Sequence, residues 1–466
     1  MKTAAGPSST LPHGAPQRVV VQVRHGDDVV AVVLMLVAGV VQLAAFGGFP
    51  DGFRFAGDAA LLLCIAYLAV RGRLKSLSNV CSVIAICLAA FALLQTMLTF
   101  FQWGEADKVL RQARRWIIAP TYYYLLATTL PAIFSKRTGR LILLGFVATV
   151  VIVVEAVRSG LSLPGASLAI MGIGSNTVYK VFIPGTVYLF LAVLILATMA
   201  LASQLKVQAR LGCAVLGLLL TAYAVTAIPF RGWVLALLLA AGAVLTVFTF
   251  TTSPKRTILS LVLVATSIGT TPFIAPNLFQ QVELYYETAF GDMATGSGTI
   301  EYRRLRDVSR LSYFWDSASL LQKAIGAGFI HRDSTAASVI GYSSETNDSG
   351  WVEVILTGGV VGSLLLLAVY VSLALRFLSQ FLPRKRWEPL ACLAIWFFGG
   401  LLMYTSNPIL WDFGFVPIAT CILLLQGRLL EPHAISNAQL LKLLSAQSAG
   451  GPSFASQVRT IRREAV

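Results

Sequence analysis

Apolar runs close to twenty residues long recur along most of this chain. A helix of that length crosses a hydrocarbon core about 30 Å thick. Backbone groups in lipid must be hydrogen-bonded within their own segment, so such runs predict helices and not strands. Only 12% of the 466 residues are charged, whereas soluble chains carry about 25%. The sequence therefore predicts an all-α polytopic membrane protein.

About twelve transmembrane helices are predicted, and the second is the least regular because it is short and carries Asp58 near its start. The expected spans are 29–49, 55–70, 80–101, 116–134, 141–157, 181–202, 211–228, 233–250, 258–274, 351–377, 390–405 and 409–427. They imply five parts: an N-terminal tail 1–28, spans one to nine within 29–274, one large loop 275–350, spans ten to twelve within 351–427, and a C-terminal tail 428–466.

The net charge of +15 is distributed in a way that argues against a nucleic-acid partner. Every second gap between spans is basic and nearly free of acidic residues; examples are Arg71, Arg73 and Lys75, then Lys136, Arg137 and Arg140, then Arg384, Lys385 and Arg386. Lys and Arg accumulate in cytoplasmic loops of membrane proteins. We therefore expect both termini in the cytoplasm and the 275–350 loop on the outer side.

The large loop contains a predicted helix from Thr299 up to the segment "GAGF" (326–329), followed by a polar, irregular stretch up to Asp348. Arg303, Arg306 and Arg310 share one face of this helix because they stand three, four and seven residues apart. The other face is expected to pack through apolar residues, namely Leu305, Val308, Leu311 and Trp315.

Basic residues on the expected outer side depart from the charge rule and need a reason. In "AIPFRGW", Arg231 sits in a hairpin between two spans, and an arginine there can clamp phosphate oxygens with two hydrogen bonds. Snorkelling beside lipid headgroups is the alternative, and the sequence does not decide between them. Snorkelling is favoured for the basic residues that follow span three, which are Lys108, Arg111, Arg114 and Arg115.

Acidic residues are rare on that side, which makes Glu345 and Asp348 stand out just before span ten. Asp348 has two interpretations: a helix N-cap, with Ser349 as the rival cap, or a carboxylate base held among arginines. His331 is interpreted as a solvated loop residue. Glu155 is expected to pair with Arg158. No metal site or nucleotide-binding motif is apparent, so no cofactor is expected.

These features resemble the O-antigen ligase and polymerase superfamily of bacterial inner membranes. Members have about a dozen spans and one large periplasmic loop before the last few. The segment "RLSYFWDSASLLQKAIGAGF" resembles the first loop motif, with Arg310, Trp315, Gly326 and Gly328. The segment "DSGWVEVILTGGVVG", ending at Gly359–Gly362, resembles the second, and "FRGW" resembles an arginine that opens an earlier span.

Alignment on the closing glycines puts Asp348 where the family often has histidine, and ligases are expected to keep that histidine. The resemblance therefore implies a polymerase that joins polyprenyl-pyrophosphate-linked oligosaccharide repeat units, as a metal-independent inverting glycosyltransferase. Asp348 is the implied base, and Glu345 is the alternative candidate for that role. Arg231, Arg310, Arg303 and Arg306, with Arg158 as a further candidate, are expected to hold the pyrophosphate. Expected partners are the lipid-linked donor and acceptor, membrane lipids, and chain-length regulator and flippase proteins of the same pathway.

Three other functions fit part of the sequence. An O-antigen ligase would pass finished glycan to lipid A core or to a protein. A flippase or other transporter would need polar residues at mid-depth, which the spans lack. A non-enzymatic export scaffold would leave the outward arginines without a role.

Overall fold

The computed structural model describes residues 19–20, 29–44, 52–71, 79–128, 136–161, 167–173, 176–182, 184–202, 204–227, 231–251, 299–344, 349–384, 386–403, 412–426 and 434–435. The chain divides into two compact units, one of 1–26 with 430–466 and one of 27–429. The described α-helices are α1 (Val29–Ala44), α2 (Gly52–Val70), α3 (Val80–Trp103), α4 (Ala106–Thr128), α5 (Lys136–Arg158), α6 (Val187–Leu201), α7 (Val207–Ala227), α8 (Arg231–Thr251), α9 (Thr299–Ser317), α10 (Leu320–Ile325), α11 (Thr335–Ile340), α12 (Gly350–Arg384), α13 (Trp387–Leu402) and α14 (Asp412–Gln426).

The described residues also form four short strands: β1 (Val19–Val20), β2 (Ser167–Ile173), β3 (Asn176–Phe182) and β4 (Ala434–Ile435). In the terminal unit, β1 pairs antiparallel with β4. In the larger unit, β2 and β3 form an antiparallel hairpin between α5 and α6. Strand β2 contains two Ile residues, strand β3 contains two Val residues with Tyr179 and Phe182, and two residues separate the strands in the sequence. The fold is mostly helical, and this hairpin is a local departure from the all-α expectation.

Eleven of the twelve predicted spans coincide with described helices, and the ninth, 258–274, lies outside the described residues. Within the described part, five helices are long and apolar enough to cross a membrane: Val80–Trp103, Leu141–Arg158, Val207–Val225, Gly232–Thr251 and Gly350–Pro383. These helices indicate a membrane protein.

The arrangement of apolar side chains supports the same conclusion. The shorter helices α6, α13 and α14 are buried on almost every side, as expected for the centre of a bundle. The longer α5 and α7 instead expose large apolar side chains, among them Leu144, Ile152, Leu211 and Leu219. Soluble proteins rarely expose continuous apolar surface of this kind, whereas a lipid-facing surface requires it.

The turn between α3 and α4, the start of α12, the end of α13 and the described loop residues lie at one end of the larger unit, which we call the loop end. Gly350 and Trp351, at the start of α12, donate backbone hydrogen bonds to the carbonyl of Met403 after α13, at 2.9 and 3.4 Å. The opposite end of the bundle holds the start of α3 and the end of α4, where Asn79 donates to the carbonyl of Ala127 at 3.0 Å. The pairs α3 with α4 and α12 with α13 are therefore antiparallel, which is the alternation that a multi-pass chain requires.

The described part of the large loop, residues 299–344, forms a cap on the first turns of α12. It has a small core of its own, which includes Phe314, Ile330 and Tyr342 and is shared with Val352 and Leu356 of α12. The continuous helix predicted from Thr299 to "GAGF" is wrong in detail. The chain breaks after α9, and Ser319 begins α10 with a capping box to Gln322. The stretch predicted to be irregular contains α11, which Ser334 caps.

Candidate functional site

The two sequence segments that carry the family resemblance pack directly against each other at the loop end. The backbone N–H of Ala327 donates to the carbonyl of Leu356 at 2.8 Å, and that of Gly328 donates to the carbonyl of Thr357 at 3.3 Å. Both acceptors belong to the turn of α12 that precedes Gly359, where the helix is interrupted. The "GAGF" segment therefore supplies donors to carbonyls at the break in α12.

Glycine is required on both sides of this contact. Gly359 has φ 58° and ψ −154°, a region that is essentially restricted to glycine. A Cβ at Gly359 would lie 2.7 Å from the carbonyl oxygens of both Lys323 and Ala324. A Cβ at Gly326, where φ is 87°, would lie 2.6 Å from the backbone nitrogen of Gly358. The two backbones thus approach more closely than any side chain allows.

Polar side chains hold the non-helical segment that follows α10. The hydroxyl of Thr99 on α3 accepts from the N–H of Phe329 at 3.2 Å, and the amide of Gln95 donates to the carbonyl of Ile325. The hydroxyl of Ser344 donates to the carbonyl of Gly328 at 2.9 Å and accepts from Ile330 N–H at 2.9 Å. Buried backbone groups need such partners, because an unpaired one costs about 1–3 kcal/mol.

Glu105, between α3 and α4, holds the start of α11. Its carboxylate accepts from the backbone N–H and the hydroxyl of Thr335, both at 3.0 Å, and from the ammonium of Lys108 at 2.9 Å. Lys108 also donates to the carbonyl of Asp333 at 2.7 Å. The hydrogen bond from Lys108, followed by that from the Thr335 backbone, lowers the pKa of Glu105 below its ordinary value of 4.5.

Glu105→Gln is expected to lower the thermal unfolding midpoint at neutral pH and to remove a pH dependence. Because folding lowers the pKa of Glu105, its charge stabilises the folded state fully above the unfolded value of 4.5. That contribution is lost as the pH falls through the folded pKa. The difference between the unfolding midpoints of the wild type and of Glu105→Gln should therefore be constant near neutral pH and should disappear in acid. Unfolding of detergent-purified protein across a pH series measures it.

Asp107→Asn is the matched control, because Asp107 is an exposed carboxylate in the same turn. It should leave the pH dependence of the wild type in place. If Glu105→Gln kept the pH dependence of the wild type, the assignment to Glu105 would be wrong.

An ion pair joins α2 to α4 near the loop end. The guanidinium of Arg114 binds both carboxylate oxygens of Asp58, and the bond between Nη2 and Oδ1 is 2.9 Å long. Their side chains are only 9% and 10% exposed. The interpretation of Lys108 and Arg114 as snorkelling residues is therefore wrong, since both have partners within the protein.

Asp58→Ala is expected to destabilise the protein by about 3 kcal/mol, because removing one partner leaves the other charge buried without its counter-ion. The double variant Asp58→Ala with Arg114→Met should lose less stability than the single variant. Denaturation of the purified protein in detergent measures both. Equal losses for the single and double variants would show that the guanidinium left without its counter-ion is not the source of the cost.

Two arginines of α9, Arg306 and Arg310, lie on the more buried face of that helix. Arg306 and Arg310 precede Phe314 by eight and four residues, so they lie on the same face as this fully buried side chain. Both are half-buried. Leu305 and Val308 are exposed instead, which contradicts the expectation that they pack on the protein. The expected packing face is thus wrong, apart from Leu311, which contacts the small core.

The remaining predicted residues have the following positions. Arg231 is the first residue of α8, and Arg303 lies within α9. Glu345 and Asp348 lie outside the described residues, between Ser344 and Ser349. Their expected roles stay predictions.

Two further expectations are tested directly. Arg158 forms an ion pair with Glu155, with 2.9 Å between Nη1 and Oε1, so that predicted pairing is confirmed. Tyr223 donates to the same carboxylate oxygen at 2.7 Å. His331 is not a solvated residue, because its side chain is only 12% exposed and Nδ1 accepts from Asp333 N–H at 3.2 Å.

Comparison with known proteins does not assign the chain. No protein-family model matches it, and no curated protein matches it. Among the described residues, no three His, Cys, Asp or Glu side chains come together as a metal site would need. The function therefore has to be argued from the geometry of the loop end.

Glu353 is a candidate residue that no sequence motif pointed to. Its carboxylate is fully buried one turn inside α12, close in sequence to the expected base. An acidic residue within an otherwise apolar stretch was the available signal. No motif pointed to Gln95, Thr99 or Ser344 either, and polar residues inside an apolar span were the signal for the first two.

Proposed function

We propose that this protein is a polysaccharide polymerase that joins oligosaccharide repeat units carried on polyprenyl pyrophosphate. The reaction would take place where the lipid of each unit lies in the bilayer and its glycan lies outside. Neither a nucleotide sugar nor a metal ion takes part.

The proposal includes a topology. Twelve spans would cross a bacterial inner membrane, with both termini in the cytoplasm and the loop end on the periplasmic side. It is supported by the alternating direction of the described helices and by the basic residues in every second gap.

The orientation of the α9 arginines carries the proposal. On a helix in water, charged side chains normally face the solvent and apolar ones face the protein. In α9 the half-buried Arg306 and Arg310 share the face of Phe314, which packs with Val352 and Leu356 of α12. Arg306, which also pairs with Asp307 at 3.4 Å, and Arg310 therefore place positive charge on the face that packs near the start of α12. In the sequence, α12 follows the acidic segment that contains Asp348. Such positive charge suits a bound diphosphate.

In this reaction the hydroxyl oxygen of the acceptor sugar attacks the anomeric carbon of the donor. The bond between that carbon and the pyrophosphate oxygen breaks, and polyprenyl pyrophosphate leaves with the electron pair. Asp348 takes the proton of the hydroxyl, and Glu345 is the alternative candidate for this base. Arg231, Arg303, Arg306 and Arg310 stabilise the charge that develops on the leaving group, by preorganised electrostatics. A single displacement inverts the anomeric centre.

The test is incubation of purified protein with a defined lipid-linked repeat unit, without nucleotide or metal. A ladder of longer lipid-linked glycans is the expected product. A single transfer to lipid A core or to a protein would identify a ligase instead. Movement of the substrate across vesicles without any new glycosidic bond would identify a flippase.

A further inference from the structure

The segment after α10 lies deeper in the bundle than the surrounding helix ends. It is bonded to Gln95 and Thr99 of α3, and Phe101 is six residues beyond Gln95. Six residues of helix correspond to about 9 Å. On α12 the segment meets Thr357, which is seven residues after Gly350 and therefore about 10 Å from the helix start. Ile325, bonded to Gln95, thus lies about 9 Å below Phe101, and Gly328, bonded to Thr357, lies about 10 Å from the start of α12. Phe329, bonded to Thr99, lies closer to the end of α3.

At that level of the bundle, the side chains exposed on α3 are apolar. Large apolar side chains of α3 remain exposed up to the end of the helix, including Leu94, Met97 and Phe101, the last of which is 82% exposed. This exposed surface is the one that faces lipid, and along α3 it continues past Gln95 and Thr99 towards the loop end. Lipid therefore reaches closer to the loop end than the backbone of Ile325 and Gly328 does. Non-helical backbone at such a depth is tolerated only where protein satisfies its polar groups. The bonds to Gln95, Thr99, Leu356, Thr357 and Ser344 meet this condition.

The short helix that leads to this segment carries two adjacent, exposed leucines. Leu320 is 88% exposed and Leu321 is 67% exposed. The C-terminal end of α10 touches the break in α12, because a Cβ at Gly359 would meet the carbonyls of Lys323 and Ala324. The six residues of α10 span about 9 Å, so the leucines lie within that distance of the deep segment.

The neighbouring helix α9 shows the same inversion. Its exposed side carries Leu305, Val308 and Trp315, while Arg306 and Arg310 are half-buried. Amphipathic helices expose apolar side chains in this way when they lie in a membrane interface, and Trp is enriched there. Lys323 of α10 is half-buried, and a lysine stem of that kind can follow apolar surface while its ammonium reaches the headgroups.

We propose that residues 319–328 form a re-entrant segment that enters the membrane from the loop end, with Leu320 and Leu321 in contact with lipid acyl chains. The occupant of this surface is lipid, because the leucines lead into a segment that Gln95 holds at the level of the exposed Leu94 and Met97 of α3. The inference does not depend on the proposed reaction.

Site-directed spin labelling in vesicles of zwitterionic and anionic phospholipid tests the proposal. Labels are placed at Leu320→Cys and Leu321→Cys, in a chain whose less buried native cysteines, Cys87 and Cys213, are replaced by alanine. Both leucines are exposed, so the labels should be accommodated without loss of the fold. The measurement is the accessibility of each label to oxygen, which concentrates in lipid, and to a water-soluble nickel chelate.

The matched controls are Phe101→Cys on the apolar surface of α3 and Arg332→Cys, whose native side chain is 68% exposed. Labels at both leucines should resemble the Phe101 label, with oxygen accessibility greater than nickel accessibility. Nickel accessibility equal to that of the Arg332 label would overturn the proposal. Low accessibility to both reagents would also overturn it, because it would mean that protein covers the leucines.

Discussion

Gly359→Ala is expected to destabilise the protein by roughly 3–6 kcal/mol and to release the 319–344 segment from α12. Alanine is strained at φ 58°, ψ −154°, and its Cβ would meet the backbone carbonyls of Lys323 and Ala324 at 2.7 Å. Backbone atoms cannot move aside as a flexible side chain would. Release should appear as faster hydrogen exchange at Ala327 and Gly328, whose N–H groups bond to α12, and as a lower unfolding midpoint.

Gly242→Ala is the matched control, because Gly242 lies within the helix α8 and a Cβ there would meet no atom within 4 Å. This variant should leave amide hydrogen exchange in residues 319–344 unchanged. It should stabilise α8 slightly, because alanine has a higher helix propensity than glycine. If Gly359→Ala matched this control in both measurements, the interlocked glycines would not hold the cap.

Arg231→Ala and Asp348→Asn are each expected to abolish polymer formation while the protein still inserts and folds. Loss of a general base lowers a rate about 10²–10⁴-fold, and loss of a preorganised charge on the leaving group about 10²–10³-fold. The measurement is the yield of the glycan ladder from a lipid-linked repeat unit, normalised to folded protein.

Arg332→Ala is the control for lost positive charge in the same loop, because Arg332 is largely exposed. It should keep the yield of the wild type. Full polymer yield from either Arg231→Ala or Asp348→Asn would end the assignment of that residue.

The positions of the helices followed from the sequence, because long apolar runs have few other stable forms in lipid. Span boundaries such as 80–101 for Val80–Trp103 agree to within a few residues. The interruption at Gly359 did not follow. Gly359 and Gly362 resembled a family motif, but glycines inside an apolar run do not indicate which backbone segment packs against them.

The faces of α9 show the limit of periodicity most clearly. The spacing of Arg306 and Arg310 placed both on one side of a helix, and both are half-buried there. The usual rule for water-soluble helices then assigned Leu305 and Val308 to the core, which was wrong. Periodicity separates two faces, but it does not say which of them meets protein, because that depends on the surrounding medium.

The sequence by itself determined that this chain is mostly helical and belongs in a membrane, since hydropathy and length are properties of each segment alone. It also indicated where polar and charged groups concentrate. Only the tertiary structure decided that "GAGF" fills the break in α12, that Asp58 pairs with Arg114, and that Glu105 holds α11. These contacts join residues that are distant along the chain, and their free energies depend on distances that no local pattern specifies.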